Sequence, residues 1–360
     1  MTILVIANNS SGLYDFRGML LRELIDLGNE ITVFTPYDTR IQELKELGIK
    51  LVEMPIDRRG TNPLKDIKLI KCYIRELKGI KPNLVITYTI KPNVYGGLAS
   101  CILKIPYVAN ITGLGTAFEG SGVLRKVATI LNKIALRKAK VVFFENTEDR
   151  NVFVDAGIVA KEKTHVLHGA GVDLNHFSYQ PYPKNQDFHF LFIGRVMKEK
   201  GVDELLQSMK RLVNEGIQCS LDILGYYEED YKGKLDEAVK AGWLRYHGNQ
   251  PDVRPFIAAC DCFVLPSYHE GMANTNLECA ASGRPIITSN IHGCMEAVIE
   301  GSGLLCEPKN NESLYEAMKA MIEKTKEERE QMGLVGRKYM EDVFDKRKVV
   351  EETIEVLTKN

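Results

Sequence analysis

Short apolar runs alternate with amphipathic stretches along almost the whole chain. In the first half, the runs ILVIA, EITVFT, NLVITYT, YVANIT and KVVFFEN end at turn residues, and stretches such as RGMLLRELIDLG separate them. Continuous apolar strands of this kind are typical of parallel strands covered on both faces. Their alternation with helices of about ten or more residues predicts βαβ units and therefore an α/β fold.

The alternation is interrupted near the middle of the chain. The segment SYQPYPKNQDF contains two prolines, and the pattern then restarts with FHFLFIG, CSLDILG, DCFVLPS and RPIITS. We predict two Rossmann-like domains, residues 1–180 and 181–342, joined by this linker. Residues 343–360 are predicted to contain a helix that returns to the first domain. The two domains are expected to face each other across a cleft, where ligands bind at the carboxyl ends of both sheets.

Composition narrows the range of functions. The 360 residues are 44% hydrophobic and 26% charged, and no apolar run reaches the roughly 18 residues of a membrane span. The first apolar run is too short for a signal peptide, so a cytoplasmic protein is expected. The eight cysteines lie mostly in apolar stretches, which indicates buried reduced thiols rather than a metal site.

The net charge of −1 conceals a basic segment. Residues 58–140 carry 16 Lys and Arg against 3 Asp and Glu, and residues 120–140 contain no acid. Within 120–140 the following apolar residues share one helical face: Leu124, Val127, Leu131, Ile134 and Ala135. A basic amphipathic helix of this kind predicts contact with an anionic membrane and a peripheral position on the inner face of the cell membrane. A core-facing helix with a charged exterior is the alternative, and no nucleic-acid-binding module is visible.

Glycine-containing loops follow several predicted strands, and one of them carries two cations. Arg195 comes directly after the strand FLFIG, and Lys200 precedes the helix VDELLQSMKRL. Two cations beside a helix N-terminus, at the carboxyl edge of a sheet, suit a diphosphate group. From these residues alone, a solvated surface pair is the alternative.

The stretch EGMANTNLE places a glutamate on each side of a predicted helix start. Glu270 lies in the loop, and Glu278 lies one turn inside a helix that begins near Asn274 or Thr275. The backbone N–H groups of 272–275 are then expected to point into the cleft. Glu270 could accept hydrogen bonds from sugar hydroxyls, and Glu278 could bind two ribose hydroxyls. For Glu278, stabilisation of the helix dipole is an equally good explanation.

This segment is accompanied by GAGVDLNHF, GR…KEKG, PSYHEG…LE and ASGRPIITSNIHGCMEAV, and by Gly12 after the first strand. With them, the chain resembles family 4 glycosyltransferases of the GT-B fold over essentially its whole length. The resemblance implies a retaining, metal-independent hexosyltransferase that uses a nucleoside diphosphate sugar, expected to be a UDP-sugar, and no cofactor. It also implies a polyprenyl-diphosphate-linked saccharide as acceptor, in the assembly of capsule, other surface polysaccharides or glycans.

The resemblance assigns roles to individual residues. It implies that Arg195 and Lys200 stabilise the leaving diphosphate and that Glu270 contacts the transferred sugar, so these three are the expected catalytic residues. The expected donor-binding residues are Gly12, Thr112, Gln250, Val253, Gly271, Met272, Ala273, Asn274, Thr275 and Glu278. No bound metal is expected, because the chain contains no D-x-D sequence. The cationic side chains of Arg195 and Lys200 are expected to bind the diphosphate instead.

One position departs from the family pattern. Many members carry a histidine after the strand YVANI, and here Thr112 stands at that position. Thr112 can hydrogen-bond a hydroxyl but cannot act as an acid or base at neutral pH. His269, beside Glu270, is expected to be structural or solvated, because no sequence pattern pairs it with a carboxylate. A UDP-sugar epimerase of the same fold and a non-catalytic nucleotide-sugar-binding module remain as alternatives.

Overall fold

The computed structural model describes residues 1–56, 62–115, 118 and 122–359, and the chain divides into two compact units. The first unit comprises Met1–Ala170 and Arg347–Asn360, and the second comprises Gly171–Lys346. Each unit is built on one parallel sheet with helices between its strands. The expected α/β fold with two Rossmann-like domains is therefore confirmed.

The sheet of the first unit has seven strands in the order β3-β2-β1-β4-β5-β6-β7. Its strands are β1 (Thr2–Ile6), β2 (Glu30–Thr35), β3 (Lys50–Glu53), β4 (Leu84–Tyr88), β5 (Tyr107–Ile111), β6 (Val142–Phe144) and β7 (Thr164–Val166). Side chains of β1 alternate between two apolar clusters, with Leu4 and Ile6 in one and Ile3 and Val5 in the other. Because both faces are covered, the strands appear in the sequence as continuous apolar runs.

Helices of the first unit lie between these strands. They are α1 (Ser10–Asp26), α2 (Ile41–Glu46), α3 (Pro63–Ile80), α4 (Gly97–Leu103), α5 (Val123–Leu136) and α6 (Thr147–Asp155), with a π-helical turn at Pro92–Gly96. Asparagine side chains accept backbone N–H groups at the starts of α1, α3 and α6, from Asn9, Asn62 and Asn146. These caps satisfy N–H groups that the first helical turn leaves without partners.

The second unit contains a six-stranded sheet in the order β10-β9-β8-β11-β12-β13. Its strands are β8 (Phe188–Ile193), β9 (Cys219–Leu224), β10 (Leu244–Gly248), β11 (Cys262–Leu265), β12 (Ile286–Ser289) and β13 (Gly303–Cys306). Its helices are α7 (Val202–Asn214), α8 (Lys232–Lys240), α9 (Arg254–Ala259), α10 (Asn274–Ala281), α11 (Asn311–Glu323) and α12 (Lys326–Val343). The last helix of the chain is α13 (Lys346–Lys359).

The boundary between the units differs from the predicted one at residue 180. Residues 171–180 belong to the second unit, because Val172 pairs with Asp345 and the Gln180 N–H donates to the Ser282 carbonyl. The proline-containing segment is also part of that unit, since the hydroxyl of the buried Tyr182 donates a hydrogen bond to the carbonyl of Asp261, just before β11. The polar, proline-containing composition correctly predicted a loop here, but the boundary between the two units lies earlier in the chain.

The C-terminal helix α13 packs on the first unit. Val349 and Val350 are buried in one of its apolar clusters. The return begins at Arg347 rather than at residue 343, because residues up to Lys346 pair with the start of the second unit.

Candidate active site

Four loops of the second unit meet at the carboxyl edge of its sheet. They follow β8, β9, β11 and β12, which lie side by side in the order β9-β8-β11-β12. From β8 the chain continues to β9 on one side, and it returns to β11 on the other. This reversal is a topological switch point, where open α/β sheets bind ligands.

Lys200 and Glu270 come from two of these loops and form an ion pair. Their side chains are 16% and 13% exposed, and Glu270 also accepts a hydrogen bond from Ser267 Oγ at 2.8 Å. Charged groups partly withdrawn from water interact more strongly than an exposed pair. The structure thus brings together two of the three expected catalytic residues.

Gly201 holds the Lys200 loop against the Glu270 loop. It has φ +70°, and a Cβ at this position would lie 2.1 Å from the Pro266 carbonyl oxygen. Only glycine permits such a conformation at such a close approach. The Tyr268 N–H donates to the Glu199 carbonyl at 2.8 Å, which adds a second backbone link between the two loops.

Arg195 extends from the same loop but contacts a different carboxylate. Its Nη1 lies 3.3 Å from Glu228 Oε2, and the side chain is 39% exposed. The Val196 N–H donates to the Tyr226 carbonyl at 2.9 Å, so the loops after β8 and β9 are joined. The guanidinium keeps further donors for an anionic ligand. Glu228 was missed by the sequence reasoning, because no local pattern shows that its loop lies beside Arg195.

The segment between the two glutamates differs in part from expectation. The helix α10 begins at Asn274, and Glu278 lies half-buried one turn inside it. However, the Ala273 N–H donates to the Gly293 carbonyl at 2.7 Å, and the Asn274 N–H donates to the Met272 carbonyl at 3.0 Å. The prediction that these two N–H groups face a ligand is wrong, because the protein supplies their acceptors.

The other expected donor-binding residues of the second unit lie near this edge of the sheet. Three residues before α10 are buried: Gly271, Met272 and Ala273. Thr275 is half-buried at the start of α10. Gln250 and Val253 are half-buried in the loop after β10, and Gln250 Nε2 donates to the His247 carbonyl at 2.6 Å.

Gly12 and Thr112 lie in the first unit. Gly12 is the third residue of α1 rather than a loop residue, and its N–H donates to Asn9 Oδ1 at 2.7 Å. A Cβ at Gly12 would lie 2.6 Å from that oxygen, so the helix cap itself favours glycine. Thr112 follows β5 at the carboxyl edge of the first sheet and is half-buried.

A buried ion pair in the first unit was not expected from the sequence. Arg17 Nη2 lies 2.7 Å from Glu145 Oε1, and the guanidinium lies over the Tyr88 ring. Burial raises the pKa of the Glu145 carboxyl, and Arg17 opposes this shift. The one sequence signal is the spacing of Arg17 from Leu13 and Leu21, which places it on the buried face of α1.

The basic helix α5 exposes three of the five apolar residues that were predicted to share one face. Ala135 is buried and Leu131 is half-buried, because this side of the helix faces the core. The exposed apolar stripe consists of three predicted residues, Leu124, Val127 and Ile134, together with Ile130. Residues 120 and 121 of the predicted segment lie outside the described residues. No helix in the described ranges is both long and apolar enough to cross a membrane.

The cysteines are mostly buried thiols. Six of the eight cysteines are buried and all are free. Burial raises the pKa of Cys260 and of Cys306 to about 12, which makes both thiols unreactive. Across residues 1–56, 62–115, 118 and 122–359, no group of His, Cys, Asp and Glu is arranged to hold a metal ion. His269 is exposed.

Two family models match the chain, one in each unit. The family described as Glycosyl transferase 4-like matches residues 2–146, and the family described as Glycosyl transferases group 1 matches residues 177–339.

Relatives match over much longer stretches. The N,N'-diacetylbacillosaminyl-diphospho-undecaprenol alpha-1,3-N-acetylgalactosaminyltransferase of Campylobacter jejuni is 28% identical over 344 residues, which cover 91% of this chain and 90% of that protein. The UDP-Gal:alpha-D-GlcNAc-diphosphoundecaprenol alpha-1,3-galactosyltransferase of Escherichia coli is 27% identical over 282 residues, or 72% of this chain and 71% of that protein.

Solved structures share the fold. The Anabaena protein HepE, crystallised with UDP-glucose, matches with a TM-score of 0.83 at 21% identity, and 100% of each chain is covered. TarM matches with a TM-score of 0.75 at 11% identity, covering 99% of this chain and 98% of that one. These likenesses confirm the expected GT-B fold.

Proposed function

The chain belongs to the glycosyltransferases of the group 1 and family 4-like type, and from this premise we propose that it transfers a hexose from a UDP-sugar to a polyprenyl-diphosphate-linked saccharide. The transfer retains the anomeric configuration and needs neither a metal nor a cofactor. The observation that carries the proposal is the Lys200–Glu270 pair at the switch point of the second sheet, with Arg195 on the same loop as Lys200.

Names of the relatives support the choice of substrates. The name of the E. coli relative includes UDP-galactose as donor, and the names of both relatives include a diphospho-undecaprenol-linked saccharide. Both are transferases, so an epimerase or a binding module is not favoured.

In the proposed reaction, the bond from the anomeric carbon to the diphosphate oxygen breaks, and a bond to the acceptor oxygen forms. The proton of the acceptor hydroxyl passes to the leaving diphosphate. Arg195 and Lys200 stabilise the charge that develops on this leaving group, which is the main electrostatic task of the site. Lys200 has three donors, so contact with Glu270 leaves others for phosphate oxygens. Glu270 accepts hydrogen bonds from hydroxyls of the transferred sugar.

A donor screen tests this proposal. UDP- and GDP-sugars are incubated with a short polyprenyl-diphosphate saccharide and excess EDTA, and released nucleotide and the anomeric configuration of the product are measured. We expect transfer from a UDP-sugar, with retention, that EDTA does not reduce. Arg195→Ala and Glu270→Ala should each lower kcat by about 10²–10³.

Arg211→Ala is the matched control for Arg195→Ala. Arg211 is also paired with glutamates and is 44% exposed, but it lies on the helix α7. Its replacement should leave transfer unchanged. Full activity of both site variants would contradict the proposal, free epimerised sugar without acceptor would indicate an epimerase, and UDP binding without turnover would indicate a binding module.

The exposed stripe on α5 supports a peripheral membrane position. Its four apolar residues are flanked by exposed cations, among them Arg125, Lys126 and Lys133. An apolar stripe between cations suits the boundary between anionic headgroups and acyl chains. We therefore place α5 on the cytoplasmic membrane surface, near the lipid-linked acceptor.

Vesicle co-sedimentation tests this placement. Wild-type protein should bind vesicles containing anionic lipid in a salt-sensitive manner and bind neutral vesicles weakly. Ile130→Glu should reduce that binding. Ile102→Glu changes an equally exposed isoleucine on α4 and should not. Salt-insensitive binding to both vesicle types, or equal binding by both variants, would contradict the placement.

A further inference from the structure

The loop after β12 carries a histidine with a carboxylate partner. His292 Nδ1 lies 2.7 Å from Glu296 Oε1, and the His292 side chain is 40% exposed. The other oxygen of Glu296 accepts the Gly293 N–H at 2.7 Å. One carboxylate therefore fixes both the imidazole ring and the backbone beside it.

This loop packs directly on the loop that carries Glu270. Gly293 has φ +86°, and a Cβ there would lie 2.3 Å from the Glu270 carbonyl oxygen. The Gly293 carbonyl accepts the Ala273 N–H at 2.7 Å. Burial raises the pKa of the neighbouring Cys294 thiol, and the Glu270 carboxylate raises it further. His292 is therefore adjacent in sequence to a residue that touches Glu270, at the same edge of the sheet.

The hydrogen bond to Glu296 determines what the ring can offer a ligand. A carboxylate only accepts hydrogen bonds, so in the neutral ring Nδ1 carries the proton and Nε2 is an acceptor. An acceptor suits a sugar hydroxyl, whereas a phosphate oxygen requires a donor. Carboxylates behind imidazoles commonly fix the tautomer and orientation of a ring that binds another group.

We propose that His292, oriented by Glu296, is a further donor-binding residue whose Nε2 accepts a hydrogen bond from a hydroxyl of the transferred sugar. This inference rests on the proposed function and concerns the same site. It makes His292 a determinant of which sugar is accepted rather than of nucleotide affinity, because a polar group built to pair with one hydroxyl discriminates against sugars that lack it.

A second histidine–glutamate pair offers a matched control. His165 Nε2 on β7 lies 2.7 Å from Glu352 Oε1 in the first unit. The distance between the ring nitrogen and the carboxylate oxygen is the same in the two pairs, and the side chains of both pairs are partly exposed. Loss of a surface hydrogen bond between histidine and glutamate would have similar effects at both positions, whereas loss of a sugar contact would appear only at His292.

Calorimetric titration of the full chain tests the inference. UDP and the UDP-sugar that wild type binds most tightly are each titrated into wild type, His292→Ala, His292→Gln and His165→Ala. In His292→Ala, the Kd for the UDP-sugar should rise roughly 5- to 20-fold, while the Kd for UDP stays within about 2-fold. His292→Gln retains an acceptor oxygen and should fall between wild type and His292→Ala. His165→Ala should match wild type for both ligands.

Equal weakening of UDP and UDP-sugar binding by His292→Ala, or no change in either, would overturn the inference. Failure of the proposed function would look different. If wild type binds the UDP-sugar but transfers it to no acceptor, the transfer proposal fails, and the comparison of the two ligands still decides the role of His292. If wild type binds no nucleotide sugar, both are overturned.

Discussion

Replacement of Lys200 by methionine tests the ion pair at the centre of the site. Lys200→Met keeps a long apolar stem and removes the ammonium group. Glu270 retains its hydrogen bond from Ser267, but its carboxylate, only 13% exposed, loses its charged partner. Removing one partner of a fully buried pair typically costs about 3–5 kcal/mol. Because this pair is partly exposed and Ser267 remains, we expect a loss of about 2–3 kcal/mol in the free energy of unfolding.

A double-mutant cycle separates the pair from other effects of each substitution. Glu270→Gln and the double variant are measured beside Lys200→Met, and we expect a coupling free energy of about 1–2 kcal/mol. Urea unfolding followed by tryptophan fluorescence is suitable, because the chain has one tryptophan, Trp243, and it is buried in the core of the second unit.

The control is Lys232→Met, which breaks an exposed ion pair with Asp236 on α8. It should leave the free energy of unfolding unchanged. The kcat of Lys200→Met should fall by about 10²–10³. A coupling free energy below about 0.5 kcal/mol would refute the reasoning, because the two side chains would then not interact in the folded protein.

Three further predictions follow from the second unit and the cysteines. Gly293→Ala should destabilise the second unit by at least about 2 kcal/mol in the same urea assay, since its Cβ would lie 2.3 Å from the Glu270 carbonyl oxygen; wild-type stability would contradict this. Burial alone would raise the pKa of Asp222, but hydrogen bonds from Arg245 and His247 lower it below 3.8. These interactions of Asp222 should therefore stabilise the protein above that pH and lose their effect as pH falls through its lower pKa in the folded state, so Asp222→Asn should flatten the pH dependence of stability below about pH 4. Ellman's reagent should label no more than the two half-buried thiols, Cys72 and Cys101, in the native protein. Rapid labelling of further thiols would contradict the burial of the other six cysteines.

Local periodicity predicted strands and helices well. It did not predict which residues of a helix are buried or which distant residues contact each other. The run NLVITYT predicted a strand that the structure has as β4, and EGMANTNLE predicted the start of α10 correctly. On α5, however, the sequence could not show that two residues of the predicted apolar face, Leu131 and Ala135, are partly or fully buried. The domain boundary was misplaced for a similar reason, because Val172 and Phe344 are brought together only by the fold. The catalytic and donor-binding roles of all the expected site residues stay predictions.

The sequence by itself determined the two α/β units, the glycine-containing loops after their strands and the side chains that those loops carry. This is because the periodicities of strands and helices are present within short stretches of sequence. Tertiary structure alone decided that Lys200 meets Glu270, that Arg195 meets Glu228 and that the loop after β12 lies against Glu270. These contacts depend on which strands become neighbours in a sheet. That order is set by the packing of whole βαβ units, which no local pattern of residues records.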